Sequence, residues 1–288
     1  MDLARSLLFV PGHRRNMVDK ALGLARLDVA ILDLEDGVPP AEKNAAREIV
    51  AEALARPHPA RPARFVRVNP VRSDDFAADV ARVVRPGAAG IVLPKIESAE
   101  DVLAADRLVA ARAPGVSLVA SIESAKGLLN APAIAATSAH VSGLMFGAED
   151  WASDLGLPAG REGEGRELLY PRSAVVVAAT AAGILAFDSV WPDIRDLAGL
   201  RDDSVLARRL GFSGKTCVHP DQIAAINEAF TPSDAEAARA RGIVAAFEEA
   251  TRRGAGVTEF EGQLVDRPVV ERALRALRAW ELARSQSV

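Results

Sequence analysis

"GLMFGAEDWASD" (residues 143–154) runs from a short apolar stretch directly into two acids and then into a helical pattern. The apolar part has the length and composition of a buried strand. Acids at its end are typical either of a helix start or of a functional site. The same order, an apolar run followed by charged residues and an Ala/Leu/Arg/Glu-rich segment, recurs along the chain. This recurrence decides the predicted fold class.

Eight runs of this kind are strand candidates, and segments with helical spacing such as "RNMVDKALGLAR" separate them. They are "SLLFV" (6–10), "VAILDL" (29–34), "RFVRV" (64–68), "GIVLP" (90–94), "SLVASI" (117–122), "GLMFG" (143–147), "GILAFDSV" (183–190) and "GKTCV" (214–218). Eight alternations favour an α/β fold, a closed (β/α)8 TIM barrel. An open parallel sheet is the alternative.

The composition describes a soluble globular protein of 288 residues, 49% of them hydrophobic, with a net charge of -4. That charge argues against a general nucleic-acid surface. The single cysteine excludes an internal disulfide framework and fits a reducing compartment. No stretch approaches the roughly 18 apolar residues of a membrane helix, and the first apolar run is too short for a signal peptide. We therefore predict a cytoplasmic protein that does not bind membranes.

The chain after the eighth strand is longer than a minimal barrel needs. We predict a barrel domain over residues 1–230 and a C-terminal helical extension over residues 231–288. Within the extension, "VTEFEGQLVD" (257–266) predicts a small hairpin, and a final helix is expected from Pro268, because proline suits a first helical turn. The extension is expected to act as an arm or lid packed on a neighbouring subunit.

Charged residues stand where the predicted strands end, which is the active-site end of a parallel barrel. In chain order they are His13, Arg14, Asp33, Glu35, Asp36, Arg67, Lys95, Glu97, Glu123, Glu149, Asp150, Asp188 and His219. Clustered carboxylates are destabilising unless a cation or basic groups neutralise them. Taken one by one, each acid is also explained as a helix cap. Taken as a set with the arginine of "RVN", they favour an active site.

Glu123 and Asp150 form the best pair for a metal, since each lies just beyond an apolar strand on neighbouring elements. Oxygen ligands without a thiolate or histidine cluster suit Mg²⁺, with Mn²⁺ as the alternative. Cys217 and His219 lie two residues apart on one strand face and suggest a thiol–imidazole pair. We favour a core role for the cysteine, which is the commoner role in an apolar strand.

Ordered motifs along nearly the whole chain make it resemble the HpcH/HpaI aldolase superfamily, in the citrate lyase β-subunit-like (CitE-like) branch with the malyl-CoA and citramalyl-CoA lyases. The motifs are "RSLLFVPGHR", "LDLEDGVPPAEKNAAR", "VRVNP", "GIVLPKIES", "ASIESAKGLLN", "GAEDWASDLG", "FDSV", "GFSGKTCVHPDQI" and "LVDRPVVERA". "LDLEDGV" together with "GAED" and "DLG" is specific, whereas any one of them alone is weak.

The resemblance implies roles for individual residues. Glu123 and Asp150 would be Mg²⁺ ligands, and Arg67 would hold the carboxylate or oxo group of an oxoacid. Asp266 would be a general acid/base that reaches a neighbouring subunit's site, and Asp36 would line the site. Coenzyme A would contact the positions that match the family's first motif, which are Phe9, Arg14 and Lys20. A barrel-core role is an equally good interpretation of Phe9.

The implied activity is Mg²⁺-dependent, reversible cleavage of a carbon–carbon bond in a small β-hydroxyacyl-CoA thioester, giving an acyl-CoA and an oxoacid. The partners are then small molecules and further copies of the chain, in a trimer or hexamer. One alternative is the β-subunit of a citrate lyase complex, acting on a carrier-bound citryl group. Others are a pyruvate-type aldolase without CoA and a non-catalytic barrel that binds an oxoacid or CoA.

Overall fold

A computed structural model of the chain describes residues 4–57, 61–158 and 165–285. These residues divide into two compact units, one from Ala4 to Ile226 and one from Asn227 onward. None of the described helices is long and apolar enough to cross a membrane. The assignment of residues 231–288 to an extension that packs on another subunit stays a prediction.

Eight parallel strands close into a barrel in the first unit, and β8 pairs with β1. The strands are β1 (Ser6–Pro11), β2 (Val29–Asp33), β3 (Ala63–Arg67), β4 (Gly90–Leu93), β5 (Ser117–Ile122), β6 (Val141–Phe146), β7 (Leu185–Asp188) and β8 (Gly214–Cys217). Each overlaps a predicted strand, so the barrel prediction is confirmed. The alternative of an open sheet is wrong, because the pairing of β8 with β1 leaves no free edge.

The inward-facing side chains of the strands form the apolar interior of the barrel. One buried cluster contains Leu7, Val29, Ile31, Phe65, Val92, Val119, Met145 and Phe187. Because successive side chains of a strand point to opposite faces, the next inward position lies two residues later. At β2 and β3 that position is charged, since Asp33 follows Ile31 and Arg67 follows Phe65. The interior therefore changes from apolar to charged towards the carboxyl ends of the strands.

Helices cover the barrel between the strands. They are α1 (Arg15–Leu22), α2 (Lys43–Ala55), α3 (Asp74–Val83), α4 (Ala99–Ala110), α5 (Ala125–Ala136), α6 (Ala148–Asp154), α7 (Leu169–Ala181) and α8 (Leu197–Leu210). The helix α9 (Gln222–Phe230) follows β8 in the chain. Side chains fix several helix starts, as when the hydroxyl of Ser124 accepts from the backbone N–H of Gly127. Asp154 of α6 accepts from the N–H of Ala125, which ties the end of α6 to the start of α5.

A buried ion-pair network joins β7 and β8 to the helices outside them. Lys215 Nζ lies 2.6 Å from Asp188 Oδ2 and 2.5 Å from Asp203 Oδ2. Arg172 Nη2 lies 2.7 Å from Asp188 Oδ2, and its Nη1 lies 2.9 Å from Asp203 Oδ1. The Lys215 and Asp188 side chains are fully buried. Asp188 therefore belongs to this network, and it does not line the cavity at the barrel mouth that the strand-end pattern suggested.

The second unit contains α10 (Asp234–Arg252), an antiparallel hairpin of β9 (Thr258–Phe260) and β10 (Gln263–Val265), and α11 (Arg267–Ser285). The predicted hairpin and final helix are thus present. Apolar residues from α10, β10 and α11, including Ile243, Val265 and Val270, form a core of its own. A capping box formed by Ser233 and Glu236 starts α10.

Candidate active site

A cavity of about 330 Å³ opens at the carboxyl ends of the barrel strands. Its charged lining residues are Asp33, Arg67, Glu123, Glu149 and Asp150. Apolar residues such as Phe9, Met145 and Val190 provide much of the remaining wall, with the hydroxyls of Ser121, Ser189 and Thr216. The volume suits a small organic acid, and the mixture of apolar walls with a few converging charges is typical of a ligand site.

Arg67 is the central cation of this cavity. Its Nε donates to Asp33 Oδ1 at 2.7 Å and its Nη2 donates to Asp33 Oδ2 at 2.8 Å. Its Nη1 lies 3.0 Å from Glu35 Oε2. Burial by itself would lower the pKa of Arg67, but the hydrogen bonds and charges of Asp33 and Glu35 raise it above its ordinary value. The guanidinium is therefore a fixed, permanently charged group in the cavity wall.

Phe9 lies against this guanidinium. The Arg67 Cζ atom is 4.6 Å from the centre of the Phe9 ring, within the range of a cation–π contact. Phe9 also packs on the interior cluster of the barrel and lines the cavity. The ring thus limits how far Arg67 can move.

Lys95 is the second cation of the site. Its Nζ donates to Glu35 Oε1 at 2.7 Å and to Asp36 Oδ2 at 2.9 Å. Partial burial disfavours the charged ammonium, but these hydrogen bonds raise the pKa of Lys95 above its ordinary value. Asp36 is thus held at the site through Lys95, and its own side chain is 60% exposed.

Glu123 lies at the end of β5 and is 6% exposed. Burial raises the pKa of the Glu123 carboxyl to about 7, and the nearby acids Glu35 and Asp150 add to the rise. A hydrogen bond with Ser121 and the charge of Arg67 oppose it. The position of the Glu123 side chain also depends on Gly147, because a Cβ added at Gly147 would lie 2.5 Å from Glu123 Cγ. Only glycine allows this close approach of β6 to the carboxylate.

Asp150 lies in the first turn of α6, and its side chain is 47% exposed. The hydroxyl of Ser189, at the end of β7, accepts from the backbone N–H of Ala148 at 3.2 Å. This contact anchors the start of α6 two residues before Asp150. Ser189 was not among the predicted site residues, and the sequence signal for it was only its place directly after β7.

The hydrogen bonds distinguish the acids of the site. Asp33 accepts from Arg67 and also from the N–H groups of Glu35 and Gly37. Glu35 and Asp36 are paired with Lys95. Within residues 4–57, 61–158 and 165–285, no side-chain cation lies within hydrogen-bonding distance of Glu123 or Asp150, and Lys95 Nζ is 4.0 Å from Asp150.

Two carboxylates that are not hydrogen-bonded to a described side-chain cation fit a divalent ion of the Mg²⁺ type, which commonly takes one or two protein carboxylates and keeps other oxygens as ligands. A closed cage is not present: the described part of the chain holds no group of three or more His, Cys, Asp or Glu side chains arranged around one ion. An open site of this kind leaves coordination positions for a substrate.

The loop between β2 and α2 is held from outside the cavity. Lys43 Nζ donates to the carbonyls of Leu34 and Glu35 and to Asn69 Oδ1. Asn69 in turn donates to Asp79, which pairs with Arg47. The lysine and arginine of the "LDLEDGVPPAEKNAAR" motif therefore fix the backbone that carries the site acids.

Arg14 and Lys20 are exposed and do not line the cavity. Arg14 directly precedes α1, whereas Lys20 lies in the last turn of that helix. They are six positions apart in the chain, which corresponds to about 9 Å along a helix at about 1.5 Å per residue. A contact of both with one molecule would require an elongated ligand that extends beyond the cavity.

Asp266 lies in the second unit, between β10 and α11. Its Oδ1 accepts from the backbone N–H of Val269 at 3.2 Å, so within its own unit it caps the start of α11. Its proposed role in a neighbouring subunit's site stays a prediction.

Cys217 is fully buried, and burial raises the pKa of its thiol to about 12. His219 Nδ1 instead accepts from the backbone N–H of Asp221 at 3.2 Å. The core interpretation of Cys217 fits this environment, because a buried thiol with such a pKa is not a nucleophile at neutral pH.

The sequence model of the HpcH/HpaI aldolase/citrate lyase family matches residues 5–220. The chain belongs to this family. The citrate lyase β subunit of Leuconostoc mesenteroides subsp. cremoris is 38% identical over 283 residues, 96% of this chain and 93% of that protein. The L-malyl-CoA/β-methylmalyl-CoA lyase of Rhodobacter capsulatus is 35% identical over 306 aligned positions, which cover 98% and 96% of the two chains.

A solved structure with the same architecture is CitE from Mycobacterium tuberculosis, in complex with magnesium, acetoacetate and coenzyme A. It is 36% identical, covers 97% of this chain and 98% of its own, and superposes with a TM-score of 0.82. The predicted family is thus confirmed, and so is the prediction of a lyase of the CoA-ester type.

Proposed function

We propose that this protein is a Mg²⁺-dependent lyase that cleaves or forms a carbon–carbon bond in a small β-hydroxyacyl-CoA thioester such as malyl-CoA or citramalyl-CoA. The observation that carries the proposal is the placement of Arg67 in one cavity with Glu123 and Asp150, two carboxylates with which no side-chain cation in the described ranges forms a hydrogen bond. The magnesium, acetoacetate and coenzyme A of the M. tuberculosis relative support it.

Glu123 and Asp150 would hold the metal, Mg²⁺ or in its place Mn²⁺, and leave positions for substrate oxygens. When bound, the ion would supply Lewis-acid polarisation of the oxoacid's oxo or hydroxyl oxygen. Burial raises the pKa of Glu123 to about 7, and a bound cation would favour its carboxylate form.

Arg67 would stabilise negative charge on the oxoacid oxygen. In the cleavage direction, the β-hydroxyl would give its proton to the general base, for which we propose Asp266. The bond between the α and β carbons breaks, and its electron pair moves to the thioester as an enolate. The oxo product forms beside Arg67, whose position is already fixed by Asp33 and Phe9. Such preorganised charge is the largest single contribution to catalysis in many enzymes.

Asp266 would deliver the proton that the enolate needs. Protonation of the enolate gives the acyl-CoA, and in the reverse direction the same carboxylate removes that proton. We place Asp266 in the site of a neighbouring subunit, as an arm of the extension (residues 231–288) in a homo-oligomer. Arg14 and Lys20 would bind the phosphates of coenzyme A, and Phe9 would contact the acyl end of the thioester from the cavity wall.

The function is tested by incubating the purified protein with malyl-CoA and citramalyl-CoA in the presence of Mg²⁺. Release of glyoxylate or pyruvate is followed as a phenylhydrazone, with an EDTA-treated sample as the control. Turnover that EDTA abolishes and Mg²⁺ restores supports the proposal. Oxoacid release from free hydroxyacids at the same rate, without CoA, contradicts it and favours the aldolase alternative.

A citrate lyase β-subunit role is the second candidate, and the 38% identity to the Leuconostoc protein favours it. In that case the site acts on a citryl group carried by a protein partner. The same assay with a citryl thioester, compared with malyl-CoA, separates the two candidates by the ratio of their kcat/KM values.

The trans placement of Asp266 predicts complementation between two inactive variants. Asp266→Asn and Asp150→Asn are each expected to be inactive. When the two are unfolded together and refolded as mixed oligomers, some sites combine an intact Asp150 with an intact Asp266 from another subunit, and part of the activity returns. Mixtures of separately refolded variants are the control. Inactive mixed oligomers would place Asp266 in its own subunit's site, whereas full activity of Asp266→Asn alone would place it outside the reaction.

A further inference from the structure

Lys95 is the only residue of the site, within the described ranges, that contacts acids on three different elements. Its Nζ lies 2.7 Å from Glu35 and 2.9 Å from Asp36 after β2, and 4.0 Å from Asp150 in α6. Its backbone N–H points at Glu123 Oε2, 3.2 Å away at the end of β5. Four carboxylates therefore surround one lysine.

The backbone of Lys95 has a φ of 53°, in the left-handed region that a long side chain rarely adopts. Such a conformation persists only where the surroundings determine it, and residues of this kind cluster at functional sites. At this position it lets the N–H reach Glu123 while the side chain turns to Glu35 and Asp36. The backbone conformation of Lys95 thus connects Glu123 on one side with Glu35 and Asp36 on the other.

We propose that Lys95 selects which acids of the cluster bind the divalent ion. Its ammonium donates hydrogen bonds to Glu35 and Asp36 but lies 4.0 Å from Asp150, beyond hydrogen-bonding distance, and so leaves Glu123 and Asp150 as the open pair. The inference rests on the proposed function, because it takes Glu123 and Asp150 as the ligands. A lysine that only stabilised the fold would leave the choice of ligands unchanged when it is removed.

Lys95→Gly tests this selection, because glycine suits the positive φ and leaves the ammonium's place empty. Glu35 Oε2 stays beside Arg67, but Glu35 Oε1, Asp36 and Asp150 then surround a space that a divalent ion can enter. The probe is Mn²⁺, titrated into the metal-free protein and followed by the electron paramagnetic resonance signal of the free ion. In the wild-type background, Asp150→Asn is expected to weaken Mn²⁺ binding by about 100-fold or more.

In the Lys95→Gly background, the same Asp150→Asn change is expected to weaken Mn²⁺ binding by less than about 10-fold, because Glu35 and Asp36 replace the lost ligand. Lys95→Arg keeps a cation beside these acids and is expected to restore the full dependence on Asp150. Lys126→Ala is the charge control, because it removes an exposed lysine. Its partner Glu97, like Lys95, lies between β4 and α4. Lys126→Ala should leave the dependence on Asp150 unchanged.

An equal loss of affinity from Asp150→Asn in both backgrounds overturns the inference and leaves the proposed ligands intact. No loss in the wild-type background overturns the ligand assignment itself, and with it the proposed function. If Lys95→Gly does not fold, as judged by circular dichroism, Lys95→Ala takes its place. Alanine also removes the ammonium and leaves the same space.

Discussion

Asp150→Asn is expected to reduce turnover of malyl-CoA by about 10³-fold or more, because several kcal/mol of transition-state stabilisation depend on the metal. The substitution keeps the size of the side chain and removes its charge. The fold should be retained, since the side chain is half exposed and no described side-chain cation forms a hydrogen bond with it. The measurements are kcat/KM at saturating Mg²⁺ and the thermal midpoint of unfolding.

Glu149→Gln is the matched control, because Glu149 is the neighbouring acid in the same first turn of α6. If the two acids act only through the helix dipole, both variants should lose a similar fraction of a kcal/mol in stability and little activity. A metal role for Asp150 predicts instead that only Asp150→Asn loses Mn²⁺ affinity. Full activity of Asp150→Asn at limiting metal would contradict the ligand assignment.

Lys215→Met is expected to lower the free energy of unfolding by about 3–5 kcal/mol, since it leaves Asp188 and Asp203 buried with one cation fewer. Methionine fills a similar volume, so the loss reports the charge more than a cavity. At about 2–4 °C per kcal/mol for a domain of this size, the thermal midpoint should fall by about 10 °C. A urea titration followed by circular dichroism measures the free energy.

Lys126→Met is the control for this stability prediction. Lys126 and Glu97 lie 3.0 Å apart; the Lys126 side chain is exposed, and the Glu97 side chain is partly exposed. Exposed pairs contribute about 0–1 kcal/mol because water screens the charges. A loss below about 1 kcal/mol in Lys215→Met as well would show that Arg172 alone neutralises the two buried aspartates.

The strand pattern predicted most of the fold and part of the site. Apolar runs of strand length, each followed by a charge, identified all eight barrel strands and placed Asp33, Arg67, Glu123 and Asp150 at one end. The pattern failed at Asp188, which also follows an apolar run. Its side chain lies on the outer face of the strand and is buried against Arg172 and Lys215.

The pairing of the charges was not predictable from the sequence. Lys95 was recognised as a strand-end cation, but its contacts with Glu35 and Asp36 join residues about 60 positions apart. Ser189 similarly anchors α6 from 41 positions away. Such contacts depend on barrel closure and on the twist of each strand, which bring distant loops together.

The sequence by itself determined the alternation of strands and helices, because the local periodicity of apolar residues decides which elements form. It also determined which chemical groups stand at the strand ends. Only the tertiary structure decided which of these groups face the cavity and which carboxylates keep a cation partner. The physical reason is that burial and hydrogen-bond geometry set the state of a charged side chain, and both arise only when the eight strands close around one interior.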